Sequence, residues 1–267
     1  MRLIPKSKRL TSHPMKLLYS LAIISIGFAS CQSAKDETET SKDDTPELEL
    51  ASTEEEVEEV EECGAMNSFV PEGWEIIEKA NGDLNKDGIS DAAFVIQETN
   101  PDNITVEYEI EINKNPRELL ILFGTAESDC YTLNTRSETF IVTHDDEIMD
   151  DPFQGIEIVK GTLKIEFNLF YNMGSWTTSG YTYVWRFQDD SFKLIGANST
   201  EFHRGDGGGT DFSANFSTNK YSITRYNMFD ESVKEEVEWK KLDLKELKTF
   251  ETFKAPWTWT INSDLTF

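Results

Sequence analysis

Basic residues are scarce in this sequence. Its 267 residues include 25 lysines and arginines against 50 aspartates and glutamates, which gives a formal net charge of −25. An acidic chain of this kind repels polyanions, so the balance argues against binding nucleic acid and against direct contact with anionic lipid headgroups. The same charge is compatible with divalent cations or with cationic partners.

Acidic residues, in turn, are missing from the first 31 residues, where basic residues precede an apolar run from Leu17 to Ala29. That run is shorter than the roughly 20 residues of a membrane-spanning helix and fits a signal peptide. It ends in Phe28-Ala29-Ser30-Cys31, which resembles the lipobox of bacterial lipoproteins, although Phe28 replaces the usual leucine or valine. The resemblance implies a signal peptide over residues 1–30 and a membrane anchor made by lipid on Cys31. The alternative is an ordinary secreted protein.

Aromatic residues are missing from the next segment. Residues 32–62 contain 14 acids and two lysines, so they cannot bury enough apolar surface to offset the entropy lost on ordering. We therefore expect residues 31–63 to be a lipidated N-terminus and a disordered acidic tether. Lys35-Asp36-Glu37 resembles the surface-export signal of Bacteroidota-type lipoproteins. This implies an outer-membrane protein that faces the cell exterior; a periplasm-facing protein is the alternative.

Cysteine is rare as well, with three in the chain. With Cys31 assigned to lipid, Cys63 and Cys130 remain, and two thiols left over outside the cytoplasm tend to pair. A disulfide would fasten the end of the tether to the folded domain. The spacing alone does not show that the two residues approach each other, so pairing and two free thiols both stay open.

Most of the remainder, residues 64–267, alternates apolar with polar residues, a period typical of strands with one buried and one wet face. The clearest stretches are Ile104–Ile112 (through Val106, Tyr108 and Ile110), Leu163–Tyr171, Tyr181–Phe187 and Phe212–Phe216. Turn residues separate them. Lys160-Gly161 and Asp189-Asp190-Ser191 predict hairpins.

These patterns predict a mainly β domain over residues 64–267, with about ten antiparallel strands arranged as a sandwich or a strongly curved meander. The apolar run Leu119–Phe123, closed by Gly124, predicts a central strand. Helix is expected only in short pieces near Trp74 and Leu242–Leu247.

One motif indicates metal chemistry. Asp83, Asn85, Asp87 and Asp91 occupy positions 1, 3, 5 and 9 of a calcium loop, with Gly88 at the sharp turn of position 6. The backbone carbonyl of Ile89 is the expected ligand at position 7. Calcium prefers six to eight oxygen ligands, and this spacing can wrap them around one point. The alternative is a turn rich in Asx residues that binds no metal.

The loop is not an EF-hand, because position 12 is Phe94 and a strand-like run follows it. It resembles the Asp-x-Asx-x-Asp-Gly-x-x-Asp loops of FG-GAP and related extracellular β repeats. The resemblance covers about 15 residues and implies one Ca²⁺ ion bound for structural reasons. We expect that calcium raises the melting temperature.

Motifs of known catalytic chemistry are absent: the sequence has no Gly-x-Ser-x-Gly elbow, His-Glu-x-x-His pair or phosphate loop. We assign no catalytic residue. Acids cluster beside His144, and Asp145, Asp146 or Asp150 could act as an acid and base pair in a hydrolase of an envelope or nutrient polymer. A solvated acidic loop is the simpler interpretation.

Six tryptophans could form a platform that stacks on sugars. Trp185, however, alternates with core side chains, and Trp257 and Trp259 share one face of an expected terminal strand. Both patterns indicate packing within the core. Trp176 could also belong to such a platform.

Several stretches together resemble a group of uncharacterised β-rich bacterial lipoproteins, of the Bacteroidota type. They are Gly82–Gly88, Asp151-Pro152-Phe153 leading into Gly155–Ile158, Gly174-Ser175-Trp176, and Tyr181–Arg204. The group carries no activity that could be transferred. We expect a surface-anchored, non-enzymatic binding or structural module, with an extracellular protein or glycan as partner; the alternatives are the hydrolase and a glycan-binding protein.

Overall fold

The structure is a computed structural model that describes residues 63–267 apart from Tyr108 and Asp264. The expectations for residues 1–62, including acylation of Cys31, lie outside the described residues. Within the described part, no helix has the length and the apolar character needed to cross a membrane.

The predicted mainly β fold is confirmed. The described residues form fifteen strands, all paired antiparallel, and three short 3-10 turns. The first six strands are β1 (Trp74–Gly82), β2 (Asp91–Glu98), β3 (Ile104–Glu107), β4 (Ile110–Asn113), β5 (Arg117–Gly124) and β6 (Tyr131–Ser137). Four of them make a sheet in the order β1-β2-β5-β6, and β3 and β4 form a separate hairpin between β2 and β5.

The next seven strands form one continuous meander, in the order β13-β12-β11-β10-β9-β8-β7. They are β7 (Phe153–Val159), β8 (Thr162–Phe170), β9 (Thr177–Gln188), β10 (Ser191–His203), β11 (Gly208–Asn215), β12 (Lys220–Asn227) and β13 (Glu236–Lys241). The chain ends in a small hairpin of β14 (Thr260–Asn262) and β15 (Leu265–Thr266).

Both predicted hairpins exist, and their turn residues have left-handed backbones. Lys160 and Gly161 have φ of 53° and 71°, and Asp189 and Asp190 have φ of 50° and 55°. Two consecutive left-handed residues match the twist of the flanking strands in a two-residue turn. The predicted central strand also exists, because β5 lies between β2 and β6.

The main core joins one face of each large sheet. It includes Val95 and Ile121 from the four-stranded sheet and Ile165 and Trp185 from the seven-stranded sheet, together with the C-terminal segment. Phe140 is fully buried there and meets five other aromatic rings edge-on, at centroid distances of 5.3 to 6.2 Å. Edge-to-face pairs of this kind add to the stabilisation from burial.

The four-stranded sheet is also covered on its other face. Phe94, Ile96, Leu120 and Leu122 form a second buried cluster there. Residues 64–70, which include a 3-10 turn over Met66–Phe69, pack against this cluster. Both faces of the strands are therefore buried, which explains why Asp91–Gln97 of β2 read as a continuous buried run rather than an alternating one.

Three local expectations were wrong. Ile104–Ile112 is a hairpin rather than one strand, because the chain reverses near Glu109, whose φ is 68°. Trp74 begins β1 instead of a helix. Residues 242–247 are not helical, because the turn residue Asn219 holds them extended: Leu242 N donates to the Asn219 carbonyl (2.9 Å) and Leu244 N donates to Asn219 Oδ1 (3.1 Å).

The terminal tryptophans also differ from the expectation. Trp257 lies in a turn with φ of 62°, and Trp259 precedes β14, so the two do not share a strand. Both still pack against the main core. The interpretation of Trp185 as a core residue is confirmed, since its side chain is fully buried.

Candidate functional site

The predicted calcium loop connects β1 to β2. Leu84 is fully buried in the main core and anchors the loop from below. Lys86 and Gly88 have φ of 69° and 87°, so the chain turns sharply where the motif places its glycine. The loop lies against the end of β5: a Cβ added to Gly124 would come within 2.5 Å of the Ser90 carbonyl.

Three loop side chains point their oxygens at the loop's own backbone. Asp83 accepts hydrogen bonds from Lys86 N (2.6 Å) and Gly88 N (3.1 Å). Asn85 Oδ1 accepts from Asp87 N (3.0 Å), and Asp87 Oδ1 accepts from Ile89 N (2.7 Å). Asn85 Nδ2 donates to Asp87 Oδ2 (2.9 Å), which brings positions 3 and 5 of the motif together.

Asp91 differs from the other loop acids because it is fully buried. Its Oδ2 accepts from Leu84 N (2.7 Å) and Asn85 N (3.3 Å), and its Oδ1 accepts from Gly124 N (3.1 Å). Burial raises the pKa of this carboxyl, and the three backbone N–H groups oppose the rise. Asp91 therefore fastens the loop to β5.

The oxygen atoms of the loop suit a hard cation, but its three carboxylates do not converge on one point. Among the described residues, Cys63, Glu127 and Cys130 are the one group of three His, Cys, Asp or Glu side chains whose ligand atoms lie within 4.8 Å of one another. Asp83, Asp87 and Asp91 are not grouped so closely. Each carboxylate oxygen has two lone pairs, so a backbone hydrogen bond leaves one for a metal ion.

The two remaining cysteines are joined. Cys63 and Cys130 form a disulfide, with Cα atoms 5.3 Å apart and a sequence separation of 67 residues. Gly64 and Tyr131, next in the chain, exchange backbone hydrogen bonds of 2.9 and 2.8 Å. The bridge therefore fixes the start of the segment that covers the four-stranded sheet. Because the sulfurs are bonded to each other, their group with Glu127 is not a metal site.

The acidic segment before β7 lies beside a cleft of about 600 Å³ lined in part by His144, Asp150 and Asp151. Asp151 accepts two hydrogen bonds from the guanidinium of Arg117, at 2.8 and 2.6 Å. Burial opposes ionisation of Asp151, but the hydrogen bonds and the charge of Arg117 outweigh it and lower the pKa of this carboxyl. A carboxylate held ionised by a buried arginine cannot serve as a general acid.

The hydrolase candidates have other hydrogen-bond partners. Asp150 Oδ1 accepts from Asn172 Nδ2 (2.7 Å), and Asp146 Oδ1 accepts from Ile148 N (3.0 Å). Asp145 is exposed. His144 is buried, and its Nε2 donates to the Met149 carbonyl (2.6 Å). These side chains shape the turn before β7.

Alternate connections of an antiparallel meander lie at the same end of the sheet. Three of them meet at one end of the seven-stranded sheet: residues 171–176, 204–207 and 228–235. They carry exposed large apolar side chains, which we call the aromatic end: Met173, Trp176, Met228 and Phe229. Their exposed fractions are 53% to 68%, and exposed apolar groups of this size mark interaction sites when they cluster.

Arg204 holds the loop that presents Trp176. Its guanidinium lies 4.3 Å above the Phe170 ring and donates to the carbonyls of Tyr171 (2.8 Å) and Ser175 (2.6 Å). Its backbone N–H donates to the Trp176 carbonyl (2.7 Å). Trp176 is therefore exposed on a fixed loop, which lowers the entropy cost of binding through it.

Phe229 packs against the turn at residues 204–207. Its ring lies over Gly207, where an added Cβ would come within 2.5 Å of it, and meets the Phe202 ring at 6.0 Å. Asp206, at the tip of the turn, accepts from Gly208 N (3.0 Å) and lies 2.8 Å from His203 Nδ1. These contacts lower the pKa of Asp206 and keep an ionised acceptor beside the aromatic side chains.

Sequence reasoning missed Arg117 and Arg204. Arg117 lies two residues before the apolar run Leu119–Phe123, and this position was a usable signal, since an arginine buried with that run requires a partner. Arg204 gave no such signal, because its partners are backbone carbonyls about 30 residues earlier in the chain.

Comparisons of this chain with protein-family models, with curated proteins and with solved structures found no match. The residues themselves therefore carry the functional argument.

Proposed function

We propose that this chain is a lipid-anchored protein of the bacterial outer membrane that binds a ligand without chemical turnover. Its ligand surface is the aromatic end, and its loop at residues 83–91 is braced by calcium. The single observation that carries the proposal is Trp176, which is 68% exposed on a loop held by Arg204. Exposing a large apolar side chain on a fixed loop has no benefit for folding but favours recognition.

The anchor is proposed from the leader, with Cys31 as the acylated residue and membrane attachment through its lipid. The disulfide between Cys63 and Cys130 supports export, because such bridges persist in oxidising compartments. The Lys35-Asp36-Glu37 segment favours the outward-facing side over the periplasmic side. Mass spectrometry of the mature protein tests this part: an unmodified Cys31 or a retained leader would contradict it.

A neutral glycan is the ligand class that we propose for the aromatic end. Tryptophan faces stack against the C–H surfaces of sugar rings, and ionised acceptors such as Asp206 suit sugar hydroxyls. Residues 63–267 carry 36 acids and 18 bases, and this negative field repels nucleic acids and acidic polysaccharides. An uncharged polymer meets no such barrier.

Titration calorimetry with soluble β-glucan, α-mannan and xylan tests the glycan proposal, with polygalacturonate as the acidic comparison. We expect binding to at least one neutral polymer, and Trp176→Ala should weaken it by roughly tenfold or more, as for a central aromatic contact. Val106→Ala is the control, because Val106 is 67% exposed but lies on the β3–β4 hairpin and belongs neither to the aromatic end nor to β13. Equal losses in the two variants, or binding to polygalacturonate alone, would contradict the proposal.

For calcium, the residues that would hold the ion are Asp83, Asn85, Asp87 and Asp91, with the Ile89 carbonyl. When bound, the ion supplies positive charge that offsets the repulsion among three carboxylates. The chain's own contribution is to fix the loop through Leu84 and through the Asp91 bonds to the backbone. The role is structural, and Asp87 is the most exposed of the three acids.

Differential scanning calorimetry with and without calcium tests the metal site. We expect calcium to raise the melting temperature by a few degrees at millimolar concentration, since only a weak extracellular-type site is implied. Asp87→Ala should abolish the rise, whereas Asp243→Ala, which removes the same charge from an exposed residue elsewhere, should keep it. An unchanged melting curve with EDTA would make the loop a turn without metal.

A hydrolase is not favoured. The cleft beside β7 contains Asp150 and Asp151, but Asp151 is held ionised by Arg117. The carboxyl with a raised pKa, Asp91, lies buried under the calcium loop and is bonded to three backbone N–H groups. The pairing of an acid and a base in one cleft, which glycoside hydrolysis requires, is therefore not supported by these groups.

A further inference from the structure

The seven-stranded sheet ends in an open edge at β13. Within the described part of the chain, β13 pairs with β12 on one side and with no strand on the other. Its residues are mostly exposed, including Val237 at 52% and Trp239 at 69%. The other edge strand, β7, lies against β1, where the Ile158 side chain packs on Gly82. An open edge presents backbone N–H and C=O groups that can pair with another strand.

The charges of β13 change sign along the strand. Glu236 and Glu238 occupy its first half, and Lys240 and Lys241 occupy its second half. Two copies of such a strand that run antiparallel bring the acidic half of one copy to the basic half of the other. Opposite charges placed directly across a strand pair stabilise it, and like charges destabilise it.

We propose that β13 pairs with β13 of a second copy of this chain, about a two-fold axis at Trp239, and so joins two seven-stranded sheets into one. In this register Trp239 faces its own counterpart, Glu238 faces Lys240, and Val237 faces Lys241. The Glu238–Lys240 pair occurs twice by symmetry. The interface is isologous, as in most homodimers.

Other symmetric registers that keep the same face outward bring like charges together. An axis at Val237 opposes Glu236 with Glu238, an axis at Glu238 opposes two glutamates, and an axis at Lys240 opposes two lysines. Charged residues on an edge strand usually prevent pairing. Here their order disfavours those registers but favours the one centred on Trp239.

Contacts within one chain hold the charged side chains of β13 on the face where this pairing would place them. Glu238 Oε2 lies 3.6 Å from Lys240 Nζ and 3.8 Å from Arg225 Nη1. Glu238, Lys240 and Arg225 all lie on one face of the sheet, because Glu238 and Lys240 oppose Ile223 and Tyr221 of β12. Trp239 projects from the other face, opposite Ser222, so the two tryptophans would cover each other there.

Analytical ultracentrifugation of the mature chain with Cys31→Ser, which prevents acylation, tests the proposal. We expect a monomer–dimer equilibrium that depends on concentration. Lys240→Glu should weaken the dimer by roughly tenfold or more, because two attractive pairs become repulsive. The double variant Glu238→Lys/Lys240→Glu should restore it, since the exchanged charges are again complementary. A monomer at all concentrations, or a dimer that Lys240→Glu leaves unchanged, would overturn the proposal.

A cysteine scan tests the register separately. Trp239→Cys should form a disulfide-linked dimer under mild oxidation, because position 239 faces itself across the axis. Val237→Cys should crosslink much more slowly, because position 237 faces position 241. Equal crosslinking of the two variants would overturn the register. The glycan and calcium experiments have different readouts, so their failure would leave this proposal standing.

Discussion

The two large sheets bury different numbers of faces. The four-stranded sheet is covered on both faces, by the main core and by residues 64–70, and its β2 and β5 are buried almost throughout. The seven-stranded sheet packs one face on the main core and leaves polar residues such as Asn198 and Ser213 exposed on the other. Within the described residues, the smaller sheet thus has both faces covered, and the larger sheet keeps an exposed face, the open edge of β13 and the aromatic end.

Removing the disulfide should have the largest effect on this contrast. Cys63→Ser/Cys130→Ser removes a crosslink between residues 67 apart, which raises the conformational entropy of the unfolded chain. It also releases residues 64–70 from the four-stranded sheet. We therefore expect a loss of about 4 kcal/mol in the free energy of unfolding. Guanidinium unfolding measures the loss. Limited proteolysis should then cut within residues 64–73. A loss below about 1 kcal/mol would mean that packing of residues 64–70 holds the cover without the bridge.

The ion pair between Arg117 and Asp151 connects the two sheets, and its loss should have the next largest effect. Arg117 is 4% exposed and would remain buried without its partner, while Asp151 is 43% exposed and partly screened by solvent. Asp151→Asn should therefore cost about 2 kcal/mol, less than a fully buried pair. Asp150→Asn, next in the chain but exposed, is the control and should change stability little.

The same pair predicts a dependence on pH. Because the pKa of Asp151 is lowered in the folded state, its contribution is fully present above the ordinary carboxyl pKa of about 4 and is lost as the pH falls through the lower folded value. Denaturation curves between pH 2 and 7 should show that the free energy of unfolding falls less with decreasing pH in Asp151→Asn than in the parent. An identical slope in both proteins would count against the assignment.

Adjacent residues of β10 give the smallest and most direct comparison of the two faces. Ala197 is 1% exposed and faces the core, while Asn198 is exposed on the free face. Asn198→Leu should change the free energy of unfolding by no more than about 0.5 kcal/mol. Ala197→Leu, the matched change one residue earlier, should cost about 1–3 kcal/mol through overpacking. Similar costs at both positions would mean that the outer face is covered.

The seven-stranded sheet could largely be predicted from the sequence, and the four-stranded sheet could not. Alternation over Leu163–Phe170 and Tyr181–Phe187, with two-residue turns at 160–161 and 189–190, defines a meander through contacts that are local in sequence. The cover over Phe94 and Leu120 depends on residues 64–70, which have no period of their own. The alternation from Ile104 to Ile112 was misleading, because it continues through a hairpin turn. The pairing places Ile104 and Val106 on the opposite face from Ile110 and Ile112.

The candidate sites also differ in how far the sequence predicts them. The loop that we propose binds calcium could be identified from its spacing, because all of its candidate ligands lie within nine residues. The exposed position of Trp176 could not, because it depends on Arg204 and on connections that meet only when the sheet forms. The disulfide was left open by the sequence for a similar reason, since its two cysteines are 67 residues apart.

The position of Cys63 has a mechanical consequence. A pull on the chain from its N-terminal side reaches Cys63 before any other described residue. The disulfide transmits the force directly to Cys130, the residue before β6, so residues 64–70 carry no tension. If the chain is anchored as proposed, tension from its N-terminal side would therefore be carried by an edge strand of the well-buried sheet, and the aromatic end would keep its shape under load.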